Sequence, residues 1–429
     1  MKKTGITVLI IILLVLAGFG YWYFLLHGPS SSSGAPAPTS ATNGFNPINR
    51  TVSGSGTSNV NAAPGNTVGT SSPRQTTIVP APVLRLLSST PVGGFGASDT
   101  ASTTIVRWVD RGRGNVYQAD GLSLNISTLS NTLLPRIYES SWNAAASSFI
   151  GTLLADSSSD PLYVYAALST QSTSTVSATD TTGTLTPFTL KGKDLPQNII
   201  AYAVSPKKDK LFMLMDEGGT AVGYVSTFDG KSTTKIFDTP LTQVSVDWPE
   251  DNTIAITTKG QSAEGGFLYF VNPRTGVWKK ILGPIPGLSA KVSHDAKYVL
   301  VSVTGNSSDI LTSIYDVSKV SGQDAVVRTL ADKCAWGNFY KDLVYCGVPS
   351  QPAAATYPDD WYQGTVSFID KIWQINAVTG EVHLVSSIVD QSDRVIDAFD
   401  LGLDAKDDYL FFMNKNDLSL WSLDLVASH

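Results

Sequence analysis

The sequence predicts an all-β chain: a seven-bladed β-propeller closed by its N- and C-terminal strands, preceded by one transmembrane helix and a disordered stalk. Three observations lead there. First, a short strand in which an apolar residue precedes Tyr or Trp, often ending in Asp or Asn, recurs at Tyr117, Tyr163, Tyr224, Tyr269, Tyr315, Trp373 and Trp421. The intervals are 46, 61, 45, 46, 58 and 48 residues, the period of one propeller blade stretched twice by insertions. Second, the last repeat supplies three strands, while Val83 to Leu87 is a spare strand at the other terminus. Pairing the two would close the ring and remove an open sheet edge. Third, the residues before the repeats lack any strand pattern.

Taken in order, residues 1–27 read as an anchor. Ile6 to Leu26 is a run of 21 uncharged, mostly apolar residues, long enough for one bilayer span. Tyr21, Trp22 and Tyr23 sit where an aromatic belt would lie, and Lys2 and Lys3 favour a cytoplasmic N-terminus. A cleaved signal peptide is the rival reading. Residues 28–82 are rich in Ser, Gly, Pro and Thr and cannot bury enough surface to offset their ordering entropy. They are expected to be a flexible stalk, spanning on the order of 40 Å as a coil. The propeller occupies residues 83–429.

Its first unit holds strands at 105–109, 115–119 and 122–126, with the turn Arg111-Gly112-Arg113-Gly114 inside a hairpin. The second holds 137–142, 149–154, 162–167 and 185–190, separated by long Ser/Thr-rich linkers. The third holds 199–204, 211–215, 222–226 and 234–237. In the fourth, the turn Asn272-Pro273-Arg274-Thr275-Gly276 joins two strands. The sixth carries an insertion, Gln351 to Thr365, between its second and third strands. The seventh ends with strands at 395–399, 409–413 and 418–423.

The connection Ser205-Pro206-Lys207-Lys208-Asp209-Lys210 lies between the first and second strands of its unit. Equivalent turns fall at Trp248 to Thr253, Ser293 to Tyr298 and Leu403 to Tyr409. Four copies in phase resemble the turns of TolB-like bacterial propellers, which also resemble WD-repeat propellers in architecture. The block Cys334 to Cys346 with Tyr357 to Gly364 is similar to membrane-anchored propellers of small-genome bacteria. That likeness implies architecture and topology: a single-pass protein of the bacterial cytoplasmic membrane, N-terminus inside and propeller outside.

Composition narrows the function classes. Charged residues make up 15% and the formal net charge is −6, so no broad basic field exists to hold nucleic acid. Only His294 and His383 lie within the repeats, thin material for His-based catalysis or a metal site. No cofactor, no metal site and no catalytic constellation is expected. Asp110, Glu139, Asp247, Asp316, Glu381 and Asp400 are carboxylates that could serve acid–base chemistry, but no spacing selects among them. Asp404, Asp407 and Asp408 match no calcium loop and read as a solvated turn.

Two sets of residues stand out. Cys334 and Cys346, the only cysteines, fall on successive antiparallel strands and are expected to form a disulfide in an oxidising compartment, the competing reading being two buried thiols. The insertion joins aromatics to carboxylates at Tyr357, Asp359, Asp360, Trp361 and Tyr362. These are the expected contacts for a partner or ligand, with Trp361 and Tyr362 dominating, on the face opposite the Ser-Pro turns. The competing reading is a loop folded over the propeller with its aromatics buried. The function expected is a non-catalytic protein-binding or scaffold module of the cell envelope; the alternative is a carbohydrate-active or other hydrolytic or lyase enzyme using the top face.

Overall fold

The computed structural model describes residues 83–121, 125–155, 161–170, 188–305 and 309–426. The expected anchor and stalk lie outside the described residues. Among the described residues no helix is long and apolar enough to cross a membrane.

The described chain is all-β, its sheets arranged as the blades of a propeller. It opens with β1 (Leu84–Ser88), followed by β2 (Val92–Asp99), β3 (Thr104–Asp110), β4 (Val116–Asp120) and β5 (Ile126–Ser130). Next come β6 (Ile137–Trp142), β7 (Ser148–Leu154), β8 (Pro161–Thr170) and β9 (Phe188–Asp194). The third unit is β10 (Ile199–Val204), β11 (Lys210–Asp216), β12 (Ala221–Thr227) and β13 (Thr234–Thr239). The fourth is β14 (Val244–Glu250), β15 (Thr253–Thr258), β16 (Gly265–Val271) and β17 (Trp278–Pro286). The fifth is β18 (Ser289–Val292), β19 (Tyr298–Thr304), β20 (Ile310–Asp316) and β21 (Ser321–Asp324). A 3₁₀ turn (Ala331–Lys333) leads into β22 (Cys334–Trp336) and β23 (Leu343–Pro349). Helix α1 (Asp359–Gln363) precedes β24 (Asp370–Asn376) and β25 (Val382–Ser386), and α2 (Ile388–Ser392) precedes β26 (Ala398–Leu403), β27 (Tyr409–Asn414) and β28 (Leu420–Asp424).

Strands pair in chain order within each unit, all antiparallel. The units β2–β5 and β6–β9 count as one eight-stranded sheet because β5 touches β9 through a single parallel pair, Ser130 with Phe188. The last sheet runs β1-β28-β27-β26, so β1 supplies its outer strand and pairs Leu84 with Leu423. This is the closure expected from the three-stranded last repeat.

Why the sheets stand as blades follows from a gradient across each unit. Second strands are buried on both faces: Leu211 to Leu214 and Leu410 to Met413 are apolar and inaccessible in unbroken runs. Such runs suit a strand sandwiched between two neighbouring sheets. Several fourth strands are polar: β21 is wholly exposed, and β9 and β17 carry Lys191, Lys193, Lys279 and Lys280. Charged edges discourage pairing with another chain. Buried clusters join each unit to the next, for example Phe212 with Trp248 and Ile254, and Tyr345 and Ile372 with Leu410. A further cluster joins Trp108 of β3 to Phe411 and Met413 of β27, linking the last unit back to the first. Each fully buried Leu, Ile or Phe contributes about 1.5–3 kcal/mol relative to exposure.

The first-to-second-strand turns share a local device. The Ser205 hydroxyl accepts from the Asp209 and Lys210 backbone N–H groups and donates to Asp209 Oδ1 at 2.9 Å. Ser293 does the same for Tyr298 N and Asp295, and Asp404 Oδ1 receives Tyr409 N. Each turn holds one residue with positive φ: Lys208, Ala296 and Asp407. The fourth expected copy, Trp248 to Thr253, departs, because β14 runs to Glu250 and a shorter connection is held by Asn252 N on Glu250 Oε2. A copy not picked out from sequence occurs at Asn143, whose Oδ1 accepts from Ser147 and Ser148 N, with Ala146 at φ 46°. Asn stands there in place of Ser, which hid it.

Strand positions differ from expectation in three places. The fourth strand of the first unit is Ile126–Ser130 rather than 122–126, of which 122–124 lie outside the described residues. The strand expected at 185–190 is Phe188–Asp194, and that at 395–399 is Ala398–Leu403, because α2 and its exit occupy the preceding residues.

Cys334 and Cys346 are directly opposite each other in the β22–β23 register and form a disulfide, Cα–Cα 4.1 Å. Both are buried in the cluster between the fifth and sixth units with Trp336, Val344 and Ile375. Cross-linking residues 12 apart restricts the unfolded chain, worth about 2–4 kcal/mol. Replacing both cysteines with alanine is therefore expected to lower the urea midpoint by that equivalent, and reduction of the parent protein to shift it the same way. An unchanged midpoint on reduction would show that the bond carries no stability.

Candidate functional site

The insertion folds back over one end of the ring. Tyr357 is buried against Phe368, ring centroids 5.6 Å apart, and Trp361 stacks on the same ring at 6.5 Å. Ile310 and Leu330 complete this small core. Polar contacts staple it to its neighbours: Thr304 Oγ1 donates to Tyr357 O at 2.6 Å, Ser262 N donates to Asp359 Oδ2 at 2.8 Å, and Ser367 Oγ bonds Asn416 Oδ1 at 2.6 Å. Asp360 Oδ2 receives Thr356 N at 2.7 Å, closing the turn that leads into α1. The pair expected to form a contact patch divides. Trp361 is 4% exposed, whereas Tyr362 is 45% exposed. The apolar floor needs one large ring, and Trp361 supplies it from the inward side of a single helical turn.

Beneath Trp361 lies a wholly buried charged cluster. Lys333 Nζ donates to Asp370 Oδ2 at 2.7 Å, to Asp397 Oδ1 and to Ala398 O at 2.9 Å. Asp397 Oδ2 also accepts Trp361 Nε1 at 3.0 Å and Phe368 N at 3.1 Å. The ammonium lies 5.3 Å from the Trp361 ring centroid and 5.1 Å from that of Phe368. Two carboxylates meet one ammonium here, and a second ammonium, Lys415, lies 5.0 Å from the Trp361 ring centroid and feels the Asp397 charge. Burial, with the Asp397 charge adding to it and Lys333 opposing, pushes the Asp370 carboxyl up to about 6. Asp370 Oδ2 also accepts Ala398 N, while Oδ1 meets no partner among the described residues. Sequence gave no signal for Lys333, since a lysine before a short strand is ordinarily a surface residue.

Outward of this core, a cavity of about 370 Å³ opens at the start of the inner strands. Ser245, Thr257, Lys259, Ser289, Asp332 and Tyr362 line it. Asp332 Oδ2 is its polar pivot, accepting Tyr362 Oη at 2.6 Å and Ser289 Oγ at 2.6 Å. Burial and the Asp332 charge push the Tyr362 phenol up, so it remains a neutral donor. The cavity thus offers hydroxyls, an ammonium and one aromatic face, a set that suits polar ligands or a protein side chain.

The inner strands bring together three of the six carboxylates that sequence could not rank. Glu139 on β6, Asp247 on β14 and Asp400 on β26 share a charged neighbourhood with Lys291 on β18, whose Nζ lies 3.6 Å from Asp247 Oδ2. Glu139 and Asp400 touch solvent yet are ringed by protein. That desolvation pushes both up, reinforced at Glu139 by Asp400 and opposed at Asp400 by Lys291. Asp400 sits in a bulge with φ 49°, a conformation rare for a residue with a Cβ. Asp110 and Asp316 instead end β3 and β20 and Glu381 lies in the connection before β25, bonded to Arg113 N, Ser318 and Thr379 respectively. Glu139, Lys291 and Asp400 each occupy the third position of a first strand, a common phase that the sequence shows only once the strand starts are known.

No protein-family model matches the chain, and no curated protein matches it. Among solved structures, the β-propeller domain of the Trilobed protease from Pyrococcus furiosus is similar, with 11% identity over 77% of this chain and 94% of that chain, TM-score 0.47. An oligogalacturonate lyase in complex with manganese matches with 11% identity, covering 78% of this chain and 96% of that one, TM-score 0.45. TolB from Acinetobacter baumannii matches with 10% identity over 75% of this chain and 63% of that chain, TM-score 0.39.

The raised Asp370 fixes a pH dependence. Its folded value, about 6, lies above the ordinary Asp value, so the folded state holds a proton that the unfolded chain releases near pH 4. Stability from this group is present below pH 4 and lost as pH rises to about 6, by about 3 kcal/mol. Asp370→Asn removes the titration. The unfolding free energy of the variant relative to the parent is expected to move in the variant's favour by that amount between pH 4 and pH 7. A difference independent of pH would refute the assignment.

Proposed function

We propose that the chain is a membrane-anchored, extracytoplasmic, seven-bladed propeller that acts as a non-catalytic binding module of the bacterial cell envelope. The count of seven is supported by dividing the eight-stranded sheet at its single parallel pair and by the apolar clusters between successive units. The anchor and the outward topology rest on the sequence: the uncharged run from Ile6 to Leu26 behind Lys2 and Lys3, then the Ser/Gly/Pro/Thr-rich stalk.

The binding reading rests on one observation above the others: the insertion is held rigidly from below and leaves Tyr362 half-exposed at the rim of the inner cavity. An aromatic that is fixed before contact loses little entropy on binding, which is what an anchor for a protein partner requires. The insertion joins second and third strands while the Ser-Pro turns join first and second, so the two lie on opposite faces, and this reading assigns the partner to the insertion face.

A second reading has its own support. Glu139 and Asp400, both raised and close enough to feel each other's charge, are the kind of pair that acid–base chemistry on a polysaccharide or another substrate uses. Partner capture by the full-length chain from envelope membranes separates the two. Tyr362→Ala is expected to weaken capture by about 2 kcal/mol, roughly thirty-fold, with an unchanged melting temperature, and Glu139→Gln with Asp400→Asn to leave capture intact. Capture unaffected by Tyr362→Ala would overturn the binding reading.

A further inference from the structure

On the face opposite the insertion, the β22–β23 connection presents a pair of aromatics to solvent. Phe339 is 65% and Tyr340 51% exposed, their rings meeting edge to face with centroids 4.8 Å apart. The turn beneath them is fixed. The buried carboxylate of Asp407, in the β26–β27 turn, accepts the backbone N–H groups of Asn338, Phe339 and Tyr340 at 2.8, 3.1 and 2.9 Å. The apolar surface continues from there. Ala377 N donates to Asp342 O, which brings the β24–β25 turn and its exposed Val378 alongside. Val378 and Lys319 line one small cavity, and Val320, also exposed, follows Lys319 in the β20–β21 turn. Two further bonds locate this patch along the chain: Leu425 N donates to Asp408 O, and Asp424 N to Val83 O. Val83, the first described residue, is therefore a neighbour of the turn that holds the aromatics.

We propose that this patch rests on the lipid surface of the bilayer that holds the anchor, with Phe339 and Tyr340 entering the interface. The proposal depends on the reading of Ile6 to Leu26 as that anchor. Position argues for lipid over a protein partner. The stalk expected from the sequence joins the ring at Val83, beside the patch, so of the two faces this is the one tethered toward the bilayer. A flexible tether makes the contact intramolecular, so an insertion too weak to hold a free protein becomes populated. Chemistry agrees. A Tyr beside apolar side chains suits a boundary where one end of the ring is wet and the other is not. A turn that is already fixed loses little entropy on contact, and contiguous exposed apolar surface marks an interaction site. Charge is not the attraction, since Lys341 is followed by Asp342 and Lys319 is paired with Asp316 at 3.0 Å. Tyr362 and the insertion then face away from the membrane.

The test uses the full-length chain reconstituted in vesicles of phosphatidylethanolamine and phosphatidylglycerol, with a fluorophore on one introduced cysteine. The native cysteines are bonded to each other and take no label without reductant. Lys341→Cys places the label beside the aromatics, and Gln351→Cys places it on the insertion face. Nitroxide-bearing lipids are expected to quench the label at position 341 several-fold more than the label at position 351. Phe339→Ser with Tyr340→Ser should reduce the first to the level of the second, with an unchanged melting temperature. Equal quenching at the two positions, or no loss in the serine variant, would overturn the proposal. An unquenched label at position 341, with self-association or partner capture that the serine variant loses, would overturn it in favour of a protein contact. Flotation of the same vesicles separates this proposal from the reading it depends on. A chain that does not float has no anchor, and both fail; a chain that floats with an unquenched label at position 341 refutes the lipid contact alone.

Discussion

Lys333 is the residue on which one side of the molecule turns. Its ammonium reaches the first residue of β24 through Asp370, the approach to β26 through Asp397, and the insertion through the ring of Trp361. Four stretches of chain that no sheet pairing holds in common are thereby fixed to one point. A buried ion cluster is poor evidence of net stability, since apolar groups of the same shape often do as well. Removing one member is a different matter, because the charges left behind have no water to turn to. The cluster therefore acts as a register device. A competing placement of the insertion would leave a lysine or an aspartate unpaired in the core, and that is heavily disfavoured.

This explains why the inside and the surface of the insertion were not separable from sequence. Trp361 and Tyr362 are adjacent, similar in character and flanked by the same acids. Which one turns inward is decided by Asp397, 36 residues further on, whose second oxygen accepts both the indole N–H and Phe368 N. The strand pattern, by contrast, was legible almost throughout. Second strands announce themselves as apolar runs and turns by Ser, Asp, Asn and Gly, and both depend on neighbours in the chain. Closure by β1 was legible for the same reason, as an arithmetic need for one more strand. The cysteine pair was legible because two short strands around a turn leave little freedom of register.

The inner carboxylates fall between these cases. Glu139 and Asp400 were visible as charges, but strand bulges decide which residue of a first strand faces the axis. β6 and β26 both shift register near these residues. A bulge depends on backbone detail that composition does not encode. The two faces of the ring also differ in what makes them. One is built from similar short turns with a shared side-chain acceptor, hydroxyl, carboxylate or carboxamide, the other from a single elaborated loop over a cavity. Repetition gives the first its regularity, and departure from repetition gives the second its individuality.

The pairing of β1 with β28 also bears on how the molecule is made. Leu84 leaves the ribosome long before Leu423, its partner, exists. During that interval the first strand has no sheet to join, and the unit β26–β28 has no outer edge until the first strand returns. Bringing such distant segments together costs more loop entropy than any hairpin in the fold, though the cost grows only slowly with length. Non-local contacts of this kind slow folding. The ring is thus completed only once Leu423 has been made, and the first unit must wait, packed on one side only, for the last to arrive.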